Sequence, residues 1–251
     1  MLDGRTALVT GAGNGLGRAI ALTLAERGAR VLLTGRQNGK LAEVAAEIGQ
    51  SARVGVCDTS AEDSVAALAA EFADEQVSIL VNNAGIAGPV APLVDVSAED
   101  WDEVFAVNVR GIFSMCRAFL PPMIARGGGD VINMASVSGK RPLARRTPYT
   151  ASKMAVIGLT VTLAHEVGPL GVMVNSLSPG PVDGPRMRRN FAMEAARTGT
   201  TPEEAEEAFA SRAALRRMVT EDEVARAVVA MLAMPGLCGA DIDLSAGMIG
   251  R

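Results

Sequence analysis

Short apolar runs rich in β-branched residues alternate along this chain with longer segments in which apolar positions recur every three or four residues. The short runs have the length of strands, and the longer patterns have the period of an amphipathic helix. Strands are predicted over residues 6–10, 30–34, 53–57, 79–81, 131–135, 173–177 and 241–244. Helices are predicted over residues 17–27, 39–48, 61–72, 98–126, 149–167 and 221–234.

The predicted strands are apolar throughout instead of alternating with polar positions. Such strands are typical of sheets that are covered by helices on both faces. Repeated strand–helix order with right-handed crossovers makes the strands parallel. The pattern therefore predicts an α/β fold, a Rossmann-type doubly wound parallel sheet of about seven strands. No break in composition divides the chain, so residues 1–251 are predicted to form a single domain.

One segment, residues 182–218, breaks this rhythm after the sixth predicted strand. It is rich in Gly, Pro, Arg and Glu, and its middle, residues 202–217, has a helical pattern. Ligands bind beyond the carboxyl ends of parallel strands, and a long excursion there is suited to cover them. We predict that this segment is a substrate lid, hinged at residues 180–185, mobile without a cofactor and ordered with one.

Composition narrows the possible partners. The chain has 251 residues, of which 49% are hydrophobic and 21% charged, with a net charge of −4 and a pI of about 5.2. An acidic chain is unsuited to nonspecific binding of nucleic acid or of anionic membranes. No apolar run approaches the roughly 18 residues of a membrane helix, and the start shows no signal-peptide pattern. We therefore expect a cytoplasmic protein with no nucleic-acid or membrane partner.

Cysteine and histidine usage argues against a metal site. Cys57, Cys116 and Cys238 are widely spaced in apolar stretches and are predicted to be buried free thiols. The single histidine, His165, has no Cys/His cluster around it, so a structural zinc site is not expected and no metal is predicted. His165 is interpreted as a helix-surface or interface residue, and the chain has no G-x-S-x-G elbow of a hydrolase.

A glycine-rich turn follows the first predicted strand. Its spacing, with Gly11, Gly15 and Gly17, differs from the standard G-x-G-x-x-G, which would need a glycine where Leu16 stands. Glycines allow a tight turn and a close approach of a pyrophosphate to the N–H groups at the start of a helix. The turn therefore predicts a dinucleotide site, and the alternative is a plain tight turn.

The only tyrosine, Tyr149, stands four residues before Lys153, one of three lysines in the chain. Residues at this spacing share one face of a helix. A phenol has a pKa of about 10, and a nearby ammonium group favours the phenolate form. Such a pair can pass a proton to or from a substrate oxygen near neutral pH. The alternative is an ordinary Tyr and Lys on a surface helix.

With the glycine turn and this pair, the chain resembles the short-chain dehydrogenase/reductase family, in particular its members that act like 3-oxoacyl-carrier-protein reductases. The resemblance covers nearly the whole chain, in order and with the family's spacing. The further matching motifs are Ser136, which stands 13 residues before the tyrosine, Asn82-Asn83-Ala84-Gly85, Asn108 within Val107-Asn108-Val109, Asp58 after the third predicted strand, and Pro179-Gly180 after the sixth.

The resemblance implies a role for each matching residue. Tyr149 would exchange a proton with the substrate oxygen, and Ser136 would donate a hydrogen bond to it. Lys153 would assist the tyrosine and hold the ribose of the cofactor, and Asn108 would hold a water that links Lys153 to solvent. Ser136 could instead cap a strand end, and Asn108 could be a helix-kink amide. The implied cofactor-binding residues are Gly11, Asn14, Gly15, Leu16, Gly17, Arg36, Asp58, Asn83, Ala84, Gly85, Tyr149, Lys153, Pro179, Gly180 and Val182.

The end of the second predicted strand bears on the choice of cofactor. A carboxylate at the position of Gly35 would bind the 2′-hydroxyl of NAD and repel a 2′-phosphate. The chain has none there, and the guanidinium of Arg36 follows, which suits a phosphate. This favours NADP. NAD stays possible, because many NADP-using members of the family carry a basic residue where this chain has Asn14. The alternative for Arg36 is a solvated loop residue.

Two basic clusters are predicted to border the substrate pocket, so an anionic substrate is one hypothesis. The family often carries a threonine that contacts the nicotinamide amide where this chain has Gly184, so details of that loop do not transfer. The clustered residues are Lys140, Arg141, Arg145 and Arg146, followed in the lid by Arg186, Arg188 and Arg189.

The resemblance thus implies an oxidoreductase that prefers NADP and interconverts a carbonyl and a secondary alcohol of a small molecule. One alternative is an NAD-dependent alcohol or polyol dehydrogenase of the same family, and another is a non-catalytic nucleotide-binding regulator. A sugar-nucleotide epimerase shares the Tyr/Lys pair but usually has a separate substrate domain. The resemblance also implies a homotetramer or homodimer, with helices 98–126 and 149–167 at the interfaces.

Overall fold

A seven-stranded parallel sheet forms the centre of the molecule, in the order β3-β2-β1-β4-β5-β6-β7. The computed structural model describes residues 2–249, except for the side chains of Pro185 and Arg186. The sheet confirms the predicted fold class. Its strands are β1 (Thr6–Thr10), β2 (Arg30–Gly35), β3 (Ala52–Val56), β4 (Val77–Asn82), β5 (Gly129–Met134), β6 (Val172–Pro179) and β7 (Asp241–Leu244).

Helices cover both faces of the sheet. The helices are α1 (Gly15–Glu26), α2 (Asn38–Ile48), α3 (Glu62–Glu71), α4 (Ala98–Phe105), α5 (Gly111–Ala125), α6 (Thr147–Val167), α7 (Pro185–Thr198), α8 (Pro202–Ala210) and α9 (Glu221–Leu232). One hydrophobic cluster packs α1, α2 and α9 against the sheet, and a second packs α3, α5 and α6 against the opposite face. The order reverses between β1 and β4, which opens a crevice at their carboxyl ends.

Burial differs between the central strands and the edges. Every residue of β1 and β5 is buried, as the apolar pattern predicts. The edge strands are less covered: β3 contains Arg53, its last residue Val56 is 51% exposed, and β7 is only partly buried along its length. An edge strand has a neighbouring strand on one side only, so the full burial of the central strands does not extend to β3 and β7.

The long helix predicted over residues 98–126 is interrupted in the structure. A π-helical segment, Ala106–Arg110, separates α4 from α5 and carries the buried Asn108. The whole stretch, 28 residues, is long and apolar enough to cross a membrane by length and composition, contrary to the expectation from the sequence. Half of its most apolar window is buried inside this fold, and residues such as Met115 and Met123 belong to the core.

The lid segment contains a helix that lies before the predicted helical stretch. Its helix α7 follows Gly184 and carries the buried apolar residues Met187, Phe191 and Ala195 at four-residue spacing. Helix α8 starts with a capping box of Thr201 and Glu204, and it ends at residue 210 instead of 217. Turns follow this end. The two helices pack on a small cluster of their own, Met187, Phe191 and Met218 with Ala205 and Phe209.

Two of the three cysteines are buried as predicted. Cys57 and Cys116 lie in the core, and burial raises the pKa of the Cys116 thiol to about 12. Cys238 is exposed, so the prediction for this residue is wrong. It lies in the connection between α9 and β7, where the chain runs over the surface.

Candidate active site

The glycine turn connects β1 to α1 at the carboxyl edge of the sheet. Gly11 and Gly15 have φ angles of 66° and 53°, which favour glycine. A Cβ on Gly17 would lie 2.2 Å from the carbonyl oxygen of Gly11. Asn14 precedes the first turn of α1 and makes no capping hydrogen bond with its side chain. The first N–H groups of this helix are therefore left for a ligand at the turn.

The end of β4 is tied to this turn by a threonine that the sequence analysis missed. The hydroxyl of Thr10 accepts hydrogen bonds from the backbone N–H groups of Asn83 and Ala84, both at 2.9 Å. The side-chain amide of Asn83 donates to the carbonyl of Thr10, also at 2.9 Å. This network fixes the Asn83–Ala84–Gly85 segment beside the glycine turn. The available signal was a buried polar residue at the end of an apolar strand.

Asp58 follows β3, at the outer end of the same edge. Its carboxylate accepts hydrogen bonds from the hydroxyl of Ser60 at 2.7 Å and from the backbone N–H of Ser60 at 3.0 Å. The hydroxyl bond, with a smaller contribution from the charge of Arg36, holds the pKa of Asp58 below its usual range. The site therefore presents an ionised carboxylate close to Arg36.

Ser136 stands directly after β5, where it caps a short 3₁₀ turn, Val137–Gly139. Its hydroxyl accepts a hydrogen bond from the N–H of Ser138 at 3.1 Å and can still donate its own proton. A Cβ on Gly139 would lie 3.0 Å from the backbone of Lys153, so the turn packs directly on α6. This contact brings Ser136 to the helix that carries Tyr149.

Tyr149 and Lys153 lie one helical turn apart in α6, as predicted. The ammonium group of Lys153 is 5.8 Å from the centre of the Tyr149 ring. It donates a hydrogen bond of 2.7 Å to the carbonyl of Met134, and only 5% of the residue is exposed. The cation of Lys153 is therefore held in a buried position beside the ring of Tyr149.

Asn108 joins three segments behind the site. Its Oδ1 accepts a 2.8 Å hydrogen bond from the N–H of Ile86. Its Nδ2 donates to the carbonyl of Ile86 at 2.9 Å and to the hydroxyl of Ser152 at 3.0 Å. Both side-chain atoms are thus engaged, in agreement with the alternative reading of a structural amide. A role in holding a water stays a prediction.

The crevice holds one cleft of about 1170 Å³. It brings together the predicted cofactor-binding and catalytic residues except Asn108, which is buried behind it. The predicted residues that line the cleft are Gly11, Asn14, Gly15, Leu16, Gly17, Arg36, Asp58, Asn83, Ala84, Gly85, Ser136, Tyr149, Lys153, Pro179, Gly180 and Val182.

The predicted basic clusters divide between the cleft and its surroundings. Arg141, Arg146 and Arg189 line the cleft. Lys140 does not, because its ammonium group forms ion pairs with two carboxylates of β7. Arg145 lies outside and donates to the carbonyl of Val90.

In the lid, Arg188 also lies outside the cleft, where it pairs with Asp183 at 3.2 Å. The side chain of Arg186 lies outside the described residues. His165 is exposed on α6, as predicted.

Three cations that line the cleft were missed, Arg18, Lys40 and Arg212, and Arg18 is paired with Glu47 at 2.5 Å. Lys40 lies in α2 with its Cβ 3.0 Å from the position that a Cβ on Gly13 would take, and it lines the same end of the cleft as Arg36. Arg212 follows α8 and lines the other end. Lys40 comes four residues after Arg36, a spacing that could have indicated it. Nothing in the local pattern around Arg212 singles it out.

Comparisons with known proteins agree with this geometry. Residues 5–195 match the family model described as short chain dehydrogenase. A D-threitol dehydrogenase of Mycolicibacterium smegmatis (strain ATCC 700084 / mc(2)155) is 41% identical over 199 residues, 74% of this chain and 76% of that protein. A variant actinorhodin polyketide ketoreductase crystallised with NADPH is 30% identical, with a TM-score of 0.92 over 99% of this chain and 98% of that one. A xylitol dehydrogenase with bound NAD⁺ is also 30% identical, with a TM-score of 0.90 over 98% of this chain and 99% of that one.

Proposed function

This chain belongs to the short-chain dehydrogenase family, and we propose that it uses NADPH in preference to NADH, with Tyr149 as the general acid and base. Family membership makes it an oxidoreductase that interconverts a secondary alcohol and a carbonyl with a nicotinamide dinucleotide. The finer proposal is carried by one observation: a single cleft is lined both by the glycine turn and by Ser136, Tyr149 and Lys153.

The residues of the turn fit a dinucleotide. Gly17 leaves no room for a side chain, because a Cβ there would lie 2.2 Å from the carbonyl oxygen of Gly11, and no side chain among the described residues caps the first N–H groups of α1. Gly11, Gly15 and Gly17 would hold the pyrophosphate, and Asn83 to Gly85 would hold the sugar and base beside it. When bound, the nicotinamide supplies or accepts a hydride at the substrate carbon.

The proton chemistry is assigned to residues of the chain. Tyr149 would donate a proton to the carbonyl oxygen during reduction and remove it from the alcohol during oxidation. The hydroxyl of Ser136 would donate a hydrogen bond to the same oxygen as negative charge develops on it. The cation of Lys153, fixed by the carbonyl of Met134, would assist Tyr149 in this proton transfer.

The preference for NADPH rests on the adenosine end of the cleft. Gly35 offers no carboxylate to the ribose, whereas Arg36 and Lys40 both line this end. Two cations suit a 2′-phosphate, which would form charge-assisted hydrogen bonds. Relatives that resemble this chain over its length bind either cofactor, NADPH in the ketoreductase and NAD⁺ in the xylitol dehydrogenase.

The catalytic assignment is tested by Tyr149→Phe, which removes only the hydroxyl. We expect kcat to fall by at least ~10²-fold, the usual scale of general acid–base catalysis. Binding of NADPH, measured by thermal shift, should be retained because the phenyl ring keeps the packing. A variant with more than a third of wild-type turnover would overturn the role of Tyr149. A wild-type chain that binds NADPH but reduces no ketone would favour the regulator interpretation.

The cofactor assignment is tested by the ratio of kcat/KM for NADPH to that for NADH. We expect a ratio above one in the wild type and below one in Arg36→Asp, which removes a charge-assisted bond of about 1.5–3 kcal/mol and adds repulsion. Arg27→Asp makes the same charge change on the surface outside the cleft and should leave the ratio unchanged. A wild-type preference for NADH would favour the NAD-dependent polyol dehydrogenase alternative.

We also propose a homotetramer or homodimer built on α4, α5 and α6. Large apolar side chains are exposed on two of these helices: Phe113 is 46% exposed, Met154 48% and Val161 38%. Exposed apolar groups on neighbouring helices are typical of an interface between subunits. Light scattering on the purified chain measures the mass directly, and a monomer at micromolar concentration would contradict the proposal.

A further inference from the structure

We infer that the substrate end of the cleft binds an anionic carbonyl compound through Arg141, Arg189 and Arg212. The carbonyl compound carries a carboxylate or a phosphate group, and the arginines bind that group. This inference rests on the proposed function, because it concerns the substrate of that reaction.

The sheet divides the cleft into two ends. The segments after β1, β2 and β3 lie at the dinucleotide end, with the glycine turn, Arg36 and Asp58. The segments after β5 and β6 lie at the other end, where Ser136 stands. One wall of this second end is the stretch between Ser136 and Tyr149, and the other is the lid. The cations on these two walls that line the same cleft as Tyr149 are Arg141, Arg146, Arg189 and Arg212.

On the first wall, Lys140 forms ion pairs within the described residues and its neighbour Arg141 does not. Lys140 turns away from the cleft and is neutralised by Asp241 and Asp243. Its neighbour Arg141 lines the cleft and forms no ion pair with any residue that the structure describes. The carboxylates of β7 therefore compensate the outward cation and leave the inward one for a ligand.

The lid repeats this arrangement. Arg188 pairs with Asp183, whereas Arg189 lines the cleft and has no carboxylate partner within residues 2–249. After α8, Arg217 pairs with Glu223 at 2.6 Å, whereas Arg212 lines the cleft. In each of the neighbouring pairs Lys140–Arg141 and Arg188–Arg189, the cation outside the cleft pairs with a described carboxylate, and the cation that lines the cleft does not.

Arg212 is held at the cleft by an aromatic contact. Its guanidinium lies 5.7 Å from the ring centre of Phe209, which also lines the cleft. A cation over an aromatic face is fixed in position while its N–H groups stay available. The charge of Arg212 reaches Glu194, but that carboxylate is bound to Arg197 at 2.6 Å.

Few acids offset these charges. Among the described residues, the acidic side chains that line this end are Asp183, already paired with Arg188, and Glu221. The carboxylate of Glu221 faces Gly15 and Gly184, at the start of α1. The end that receives the substrate therefore has an excess of positive charge. A guanidinium binds carboxylate and phosphate oxygens with two parallel hydrogen bonds, so both groups suit it.

The test uses pairs of ketones in which one member carries an anionic group and the other is neutral. 4-Oxopentanoate is compared with its methyl ester, and dihydroxyacetone phosphate with dihydroxyacetone, under saturating NADPH. We expect the anionic member of at least one pair to have a kcat/KM at least ~10-fold higher, the scale of one charge-assisted hydrogen bond. The pair that shows the preference distinguishes a carboxylate from a phosphate substrate.

Variants locate the effect. Arg141→Gln and Arg189→Gln should raise KM for the anionic member by about tenfold while KM for its neutral partner and for NADPH stays constant. Arg188→Gln, which lies beside Arg189 but outside the cleft, should behave as wild type. A thermal shift by the anionic member, measured with NADP⁺ bound, should be present in the wild type and absent from the Arg141→Gln/Arg189→Gln double variant.

Two results overturn the inference while leaving the proposed function intact. One is turnover of the neutral ketones with no preference for their charged partners. The other is an anion preference that survives in the double variant. Failure of the proposed function looks different, because then NADPH would not stabilise the protein and no ketone in either pair would be reduced.

Discussion

The two ends of the cleft are built differently. At the dinucleotide end, polar groups are bonded to the fold itself: Thr10 holds Asn83 and Ala84, and Ser60 holds Asp58. At the substrate end, the lid rests on a small cluster of its own, and its inward cations have no carboxylate partners in the described part of the chain. The dinucleotide end is therefore fixed before any ligand arrives, whereas the substrate end has charges that a ligand would complete.

This difference follows from what supports each end. The glycine turn extends from β1, a strand that is buried along its whole length between β2 and β4. The lid contacts the body through the bridge between Val182 and Val219, through backbone hydrogen bonds from Ala214 and Leu215 to the segment after β7, through the ion pair of Arg217 with Glu223, and through a few apolar contacts. A segment with few buried apolar contacts opens at a lower free energy than the core. The proposed motion is therefore expected in the lid, which has the smallest of the three hydrophobic clusters in the described residues.

The largest expected effect comes from Phe191→Ala in the lid. Phe191 is 4% exposed and packs its ring 5.6 Å from that of Phe209. Truncating a buried phenylalanine costs about 3–5 kcal/mol, and the small lid cluster would bear that loss. We expect hydrogen-exchange protection to disappear over residues 185–210 while the strands stay protected.

The same variant should raise KM for the substrate but change KM for NADPH little. Met193→Ala is the matched control, because Met193 is 63% exposed on the same helix and should have no effect. If Phe191→Ala instead lowered protection in β1 and β4 equally, the lid and the dinucleotide end would be one cooperative unit, and the contrast between them would be lost.

The second prediction concerns the dinucleotide end. In Gly17→Ala, the new methyl group would lie 2.2 Å from Gly11 O and 2.6 Å from the amide nitrogen of Asn83. Overpacking of this kind costs about 1–3 kcal/mol, and the turn would have to move away from the cofactor. We expect a lower Tm and a Kd for NADPH raised by about tenfold or more, measured by calorimetry.

Gly39→Ala is the control for this substitution. Gly39 lies in the first turn of α2 with no atom within 4 Å of the added methyl group. Alanine in a helix is favoured over glycine by roughly 0.5–1 kcal/mol, so this variant should be slightly more stable and bind NADPH normally. Equal behaviour of the two variants would mean that the turn tolerates a side chain, against the rigid dinucleotide end.

The sequence predicted the dinucleotide end better than the substrate end, for physical reasons. Buried parallel strands leave continuous apolar runs, so the seven strands were predicted within a few residues of their bounds. Helix α7 was missed because three apolar residues at four-residue spacing are a weak signal on a polar helix. The helical stretch predicted over residues 202–217 ends at Ala210, and turns and bends follow over residues 211–217.

Site residues divide in the same way. Those carried by a fixed spacing, such as Ser136 and Tyr149, lie in one cleft as the spacing indicated. The roles of adjacent cations could not be read from the sequence, because Lys140 is neutralised by Asp241, which lies 101 positions later in the chain. Only tertiary structure brings such partners together. The catalytic roles themselves stay predictions until the variants are measured.

The smallest expected effect lies at the junction between the lid and the body, at Glu223. Its carboxylate binds Arg217, at the end of the lid, and caps α9 through Thr220. The hydrogen bond from Arg217, followed by that from the Thr220 N–H, lowers the pKa of Glu223 to about 2. An acid whose pKa is lowered by folding stabilises the fold at pH values above its pKa in the unfolded state, about 4.3. This stabilisation is lost as the pH falls toward 2. Because the partner arginine is half exposed, screening limits the gain to about 1 kcal/mol.

Glu223→Gln keeps a side chain that can still cap the helix. Its Tm should therefore lie below that of the wild type at pH 7, and the difference should shrink below pH ~4.5 and vanish near pH 2. A difference that stayed constant from pH 7 to pH 2 would show that the charge of Glu223 does not hold the lid to the body.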